Sequence, residues 1–321
     1  MPRRKNMIHR MIDSGIRSIA VTLLTVLALA ISGCSSAPAT TEGRLQIVTT
    51  TTMLYDATAT IAGEHADVKA LMGPGIDPHM YQASAGDVKT MQNADIVVYN
   101  GLHLEGKMGD IFASLTRQNR NVISAEEGVD PSRLLSDENN PDIHDPHIWF
   151  DVSIWKEVVT HIAEQLSIFD PEHQEDYMNN LSAYLMELDD LDSYMKQRVS
   201  ELDEQQRVLV TAHDAFRYFG KAYGFEVKGL QGISTDAEAG TADVSNLAQF
   251  IANNKIKAIF VESSVPPKNI EALQAAVKAK GFAVEIGGEL YSDSLGDAAS
   301  GNDTYVKTCK ANIDTIVDAL K

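Results

Sequence analysis

Residues 172–202 contain neither glycine nor proline, and this run constrains the fold more than any other stretch of the chain. Its apolar side chains fall at Tyr177, Leu181, Tyr184, Leu185, Leu188, Leu191, Met195, Val199 and Leu202. Steps of three and four are the spacing of one helix face. Pro171 immediately before the run suits a first helical turn, where its missing N–H is no loss. Thirty-one helical residues span about 46 Å. A helix of that length reaches from one domain to another and resists bending, so wide hinge closure is not expected.

The text on both sides of this helix alternates between short apolar runs and helical spacing. Before it, residues 45–50, 68–71, 95–101 and 122–125 read as strands. Helical spacing continues to residue 63 and again over 83–93, where Ser84 is placed to cap. After it, residues 208–211, 256–261 and 282–286 read as strands, with helices near 214–223, 243–254, 267–280 and 302–320. Strands alternating with helices imply parallel sheets covered on both faces. The expected fold is α/β: two Rossmann-like lobes with parallel sheets joined by one long rigid helix. The expected boundaries are 1–33 for a lipoprotein signal peptide, 34–43 for a flexible tether and 44–170 for an N-terminal lobe. The linking helix then takes 171–203 and a C-terminal lobe 204–321.

The first segment reads as an export signal. Arg3, Arg4, Lys5, Arg10 and Arg17 precede an apolar core over 19–31, which is too short for a comfortable bilayer span. It ends in Ile31-Ser32-Gly33-Cys34, which resembles a bacterial lipobox; that resemblance implies a lipidated Cys34 at the start of the mature chain. Small and polar residues follow to Gly43 and read as a tether. The remaining cysteine, Cys309, sits on the apolar face of the closing helix, so no internal disulfide is expected and its thiol reads as buried and inert. The net charge of −18 becomes −22 once the leader's five Lys/Arg and its Asp13 are removed. Such an acidic chain is no nucleic-acid binder.

Four side chains stand out at the ends of expected strands. His79 and His147 share a local sequence, Asp77-Pro78-His79 and Asp145-Pro146-His147. Proline before the histidine stiffens its approach. His213 sits where a strand gives way to a helix, in Thr211-Ala212-His213-Asp214. Asp293 lies in Tyr291-Ser292-Asp293-Ser294, a loop after a strand. In α/β sheets, ligands bind beyond the carboxyl ends of strands. Taken singly, each also reads as a surface turn, a satisfied histidine or a helix cap.

Together these residues resemble the metal-binding substrate-binding proteins of ATP-driven manganese, zinc and iron importers, the bacterial solute-binding protein family 9. The matching segments are Gly75-Ile76-Asp77-Pro78-His79, Pro146-His147-Ile148-Trp149-Phe150-Asp151, Thr211-Ala212-His213-Asp214-Ala215-Phe216, Ile233-Ser234-Thr235, Phe260-Val261-Glu262-Ser263-Ser264 and Tyr291-Ser292-Asp293. The resemblance covers nearly all of 45–320. It implies two ligands from each lobe, His79, His147, His213 and Asp293, closing on one transported ion. It implies as partners that ion and an ABC permease, for a monomer lipid-anchored on the extracytoplasmic face of the cell membrane. Three imidazoles and a carboxylate suit zinc and can also hold manganese. A long His-rich acidic loop, carried by many zinc-dedicated relatives, is replaced here by the short run from Ser136 to Asp145, so Zn2+ and Mn2+ both stay open, with a lean to zinc. Glu262 and Asp214 are candidates to orient ring N–H groups. His103 and His144 are weaker candidates for the site, and His65, His161 and His173 are expected in solvent. The rival readings are a zinc-dependent hydrolase and a surface adhesin. No H-E-x-x-H, nucleophile elbow or Walker loop supports catalysis.

Overall fold

The computed structural model describes residues 43–137 and 140–321; the basic leader, the lipobox with Cys34 and all but the last residue of the expected tether lie outside them. Among the described residues no helix is long and apolar enough to cross a membrane.

The first lobe is built on β1 (Leu45–Thr49), β2 (Ala66–Ala70), β3 (Ile96–Tyr99) and β4 (Asn121–Ser124). All run parallel, in the order β2-β1-β3-β4. Alternation along the strands sorts their side chains to two faces. Ile47, Ile96 and Val98 pack on one face under α1 (Thr52–Ala62). Val48 and Val97 pack on the other with Met91 of α2 (Ala85–Asn93) and Phe112 of α3 (Gly109–Arg117). Ser84 caps α2 as expected, in a reciprocal box with Asp87.

The second lobe holds two parallel pairs, β5 (Val208–His213) with β6 (Glu226–Gln231) and β7 (Ala258–Glu262) with β8 (Glu285–Leu290). β5 lies beside β7. Helices α6 (Arg217–Tyr223), α7 (Thr241–Asn254), α8 (Lys268–Ala279) and α9 (Tyr305–Leu320) connect and close them. Strand β6 was not expected, because Glu226, Lys228, Gly229 and Gln231 hide its pattern. The last strand runs three to four residues later than its apolar text suggested. Cys309 is buried on α9 as a free thiol, and burial raises it to about 12.

Two helices pair between the lobes. α4 (Val152–Phe169), unanticipated, starts at Asp151, whose carboxylate accepts from the Ser153 and Ile154 N–H groups. It buries Ile154, Trp155, Val158, Val159, Ile162 and Leu166. A single turn over Pro171–His173 then opens α5 (Gln174–Val199), 26 residues rather than thirty-one, or about 39 Å. Its buried face is Tyr177, Leu181, Tyr184, Leu188, Leu191, Met195 and Val199. The first half is tied to α1, where Asn180 Nδ2 donates to Ile61 O at 2.9 Å. The second half is tied to α9, where Tyr194 and Arg198 both reach Asp314, at 2.7 and 2.8 Å.

The first sheet reverses its strand order between β1 and β3, and in the second lobe the pairs meet where β5 lies beside β7. Ligands bind at such switch points. The carboxyl ends of these four strands carry Thr50, Asn100, His213 and Glu262.

Candidate metal centre

Both Asp-Pro-His segments fold the same way. Asp77 Oδ1 accepts from the His79 N–H at 2.9 Å, and Asp145 Oδ1 accepts from the His147 N–H at 3.0 Å. An aspartate that bonds the backbone two residues on makes an Asx turn, and proline between them stiffens it. His79 is thereby fixed in the loop after β2. His147 is fixed at the entrance of the turn Ile148–Phe150 that leads into α4. Behind His147, Asn100 Nδ2 donates to Pro146 O at 3.0 Å, and the Asn100 N–H is held at 2.8 Å by the buried carboxylate of Glu105. His213 is the last residue of β5, and Asp293 follows β8.

These four side chains converge. Their ligand atoms lie within 4.8 Å of one another, and all four residues are buried. His147 Nε2 stands 3.3 Å from both His79 Nε2 and His213 Nε2. Asp293 places Oδ1 3.4 Å from His147 Nε2 and Oδ2 3.4 Å from His213 Nε2. Donors on a tetrahedron with bonds of about 2.0–2.1 Å stand about 3.3–3.4 Å apart. Asp293 Oδ1 is buried and accepts no hydrogen bond, an orphan acceptor of the kind a cation satisfies. The donor set therefore fits a divalent ion.

Carboxylates behind the rings aim the nitrogens. Asp145 Oδ1 accepts from His147 Nδ1 at 2.7 Å, and Glu262 Oε2 accepts from His213 Nδ1 at 2.6 Å. A proton held on Nδ1 leaves the Nε2 lone pair facing inward. Burial pulls the His147 ring down, but Asp145 and Asp293 outweigh it and hold its pKa above the usual histidine value. His213 is raised further, with Glu262 and Asp293 overcoming its burial. Among the described residues no carboxylate is hydrogen-bonded to the His79 ring, and burial lowers its pKa to about 3. Burial would raise Asp293; the three imidazoles, His213 foremost, instead hold it well below the usual carboxylate range.

A family model described as "Zinc-uptake complex component A periplasmic", ZnuA, matches residues 47–319. The chain belongs to this family. The ZnuA-family chain is 50% identical over 285 residues to "Zinc-binding protein TroA" of Treponema pallidum, covering 89% of this chain and 92% of that one. It is 43% identical over 303 residues to "Manganese-binding lipoprotein MntA" of Bacillus subtilis, covering 94% and 98%. The solved structure of the periplasmic zinc-binding protein TroA superimposes with a TM-score of 0.84 at 50% identity, over 87% of this chain and 99% of that one.

The ZnuA-family chain departs from the sequence reading at several histidines and at one aspartate. His103 and His144 do not join the cluster. His103 is exposed with φ of 62°, and both line a cavity of about 570 Å³ to one side. His65 and His173, expected in solvent, are half-buried and stack at 3.9 Å. Asp214 does not orient a ring: it faces Arg217, 3.7 Å away, and burial raises its carboxyl to about 6. The partner of His147 is Asp145, which sequence reasoning passed over. Its signal was available, since it precedes His147 by two residues just as Asp77 precedes His79. Glu262 stands where expected.

Trp149 covers the cluster. Its ring meets His147 edge-on at 5.2 Å, and its Nε1 donates across the lobes to Ser292 O at 3.0 Å. Further bonds seal the same seam: Gly75 N–H to Ser294 Oγ at 2.8 Å, Thr235 Oγ1 to Asp77 Oδ2 at 2.6 Å, and Leu295 N–H to Thr52 Oγ1 at 2.8 Å.

Proposed function

We propose that this chain captures one divalent transition-metal ion between its lobes and hands it to the membrane permease of an ATP-driven importer. The ion is held by His79, His147, His213 and Asp293. The convergence of these four buried side chains on one point, two from each lobe, carries the reading. Relatives named as zinc-binding and manganese-binding support the class of cargo. Three imidazole nitrogens and a carboxylate favour zinc over manganese. The lobes are taken as residues 44–170 and 204–321, with 171–203 between them. Cys34 is taken as the lipidated residue that keeps the protein at the extracytoplasmic membrane surface, working as a monomer.

The chain is read as a carrier and not as a catalyst. A catalytic zinc keeps an open position for water, whereas four protein donors and the Trp149 cover leave none. Capture requires neutral imidazoles. Release requires a donor loop to leave, because α5 is fastened to both lobes. The loop carrying His79 reaches the other lobe through seam bonds such as Gly75 N–H to Ser294 Oγ and Thr235 Oγ1 to Asp77 Oδ2, and it is the segment taken to part.

Metal analysis of gently purified protein tests this, with His147→Ala as the comparison. The expected result is about one ion per chain for the native protein and a loss of affinity by orders of magnitude for the variant with its fold kept. Near-native affinity in the variant would remove His147 from the site. Stoichiometric zinc with turnover of ester substrates would replace the carrier reading with a hydrolase.

A further inference from the structure

The two Asp-Pro-His segments turn alike, but their aspartates end differently. Asp145 spends one oxygen on its own histidine: Oδ1 accepts from the His147 N–H at 3.0 Å and from His147 Nδ1 at 2.7 Å. Asp77 divides its oxygens. Oδ1 accepts from the His79 N–H at 2.9 Å, and Oδ2 accepts from the Thr235 hydroxyl at 2.6 Å. Thr235 lies after β6, in the other lobe.

The difference falls on the donor histidine that needs it most. His147 is aimed by Asp145 and His213 by Glu262, each from its own lobe. Among the described residues the His79 ring has no bonded carboxylate, so its direction follows from the Asx turn that Asp77 makes. Such a turn holds only while the aspartate keeps the rotamer that reaches the backbone two residues on. Thr235 fixes that rotamer through the second oxygen. The residue after Thr235 docks beside it: Asp236 Oδ1 lies 3.3 Å from Lys107 Nζ, and that ammonium is 3.4 Å from the sulfur of Met80, which follows His79. The segment 234–236 therefore braces the His79 loop on both sides of the donor.

We propose that Thr235 is a positioning residue for His79: acting through Asp77 from the opposite lobe, it aims this donor only while the segment 234–236 is docked, so that lifting the segment is the step that frees His79 and lets the ion go. This rests on the metal-carrier reading above. His147 and His213 keep their aim when the seam opens, because their carboxylates belong to their own lobes.

The test loads the full mature chain with zinc and compares Thr235→Val, Thr235→Ser, Asp77→Ala and the double variant Asp77→Ala with Thr235→Val. Valine keeps the shape of threonine and removes the hydroxyl. Stopped-flow mixing with excess chelator gives the rate of zinc release. Thr235→Val is expected to release zinc about tenfold faster, the scale of one hydrogen bond to a charged group. Thr235→Ser keeps the hydroxyl and should restore the native rate. The double variant should release zinc no faster than Asp77→Ala alone, because Thr235 acts through Asp77. In the metal-free protein the imidazole NMR signals of His79 should shift or broaden in Thr235→Val while those of His147 and His213 stay, a pattern that a general loss of stability does not produce. A native release rate in Thr235→Val, unmoved His79 signals, or effects that multiply in the double variant would overturn the proposal and leave the carrier reading standing. A native chain that binds neither zinc nor manganese would overturn the carrier reading and this proposal with it.

Discussion

His147 is the hub at the scale of single residues. It lies within 3.3–3.4 Å of all three other donors, and a buried carboxylate holds its far nitrogen. Outer partners of this kind cost about 10–100-fold in metal affinity when removed. Asp145→Asn and Glu262→Gln are each expected to lose affinity in that range, measured by competition with a chromophoric chelator. An unaltered affinity in either would show that the ring needs no such support. The same carboxylates set the pH response. The pKa values of His147 and His213 are held above the usual histidine value, and an imidazolium cannot bind an ion. Affinity should therefore climb as pH rises through and beyond about 6.5, because each ring must give up its proton. Asp293 stays ionised throughout and adds no dependence there. Calorimetry in two buffers of different ionisation enthalpy should show net proton release when the ion binds; none released would contradict the assignment.

At the scale of elements, His213 sits at a strand end and the other donors in loops or turns, and close backbone packing holds the end of β5. Gly229 of β6 is one such close approach: a Cβ there would meet Asp214 N at 2.5 Å and Asp214 Cα at 2.6 Å. Those atoms are backbone and cannot swing aside, and Asp214 follows His213 directly. Gly229→Ala should cost about 1–3 kcal/mol of stability as overpacking and should weaken metal binding by displacing the end of β5. Urea unfolding and a zinc titration read the two effects. Gly232→Ala, with nothing near its Cβ, is the control that should change neither. Helix α4 shows what the pattern concealed. Its apolar stripe is as regular as that of α5, but it lies between the Asp-Pro-His motif and Asp170-Pro171, both of which carry loop signals. The Asp151 cap is the physical marker of its start.

For the whole molecule, the proposed site would let one ion join two lobes that α5 already fastens together. A bound ion stabilises the folded chain by about 2.7 kcal/mol when present at 100 times its dissociation constant. In a protein of this size that is worth roughly 5–10 °C in melting temperature. Chelation should lower the melting temperature by that amount, and adding zinc back should restore it. Small-angle scattering of the loaded and chelated protein should give nearly the same radius of gyration, because Asn180, Tyr194 and Arg198 fasten the helix to both lobes. A large expansion on chelation would show that the helix bends or detaches.

The sequence by itself determined the class and most of the elements, α4 and β6 excepted. Apolar runs of strand length, three- and four-residue spacing and an unbroken central helix require parallel sheets and a connecting strut, because no other arrangement buries those faces. It also marked the chemistry-bearing side chains, since two Asp-Pro-His segments and a histidine at a strand end have distinctive local grammar. Tertiary structure decided which of them meet. His103 and His144 carry the same imidazole as His147 yet face a separate cavity. Asp214 and Asp145 are both aspartates next to a donor histidine, but only Asp145 turns its carboxylate back to the ring. Ser264 and Ser292, whose hydroxyls meet at 2.9 Å, lie on different loops. Distances between such groups are set by how β7 and β8 end beside each other, and local sequence does not encode a separation that two strands create only when they pack.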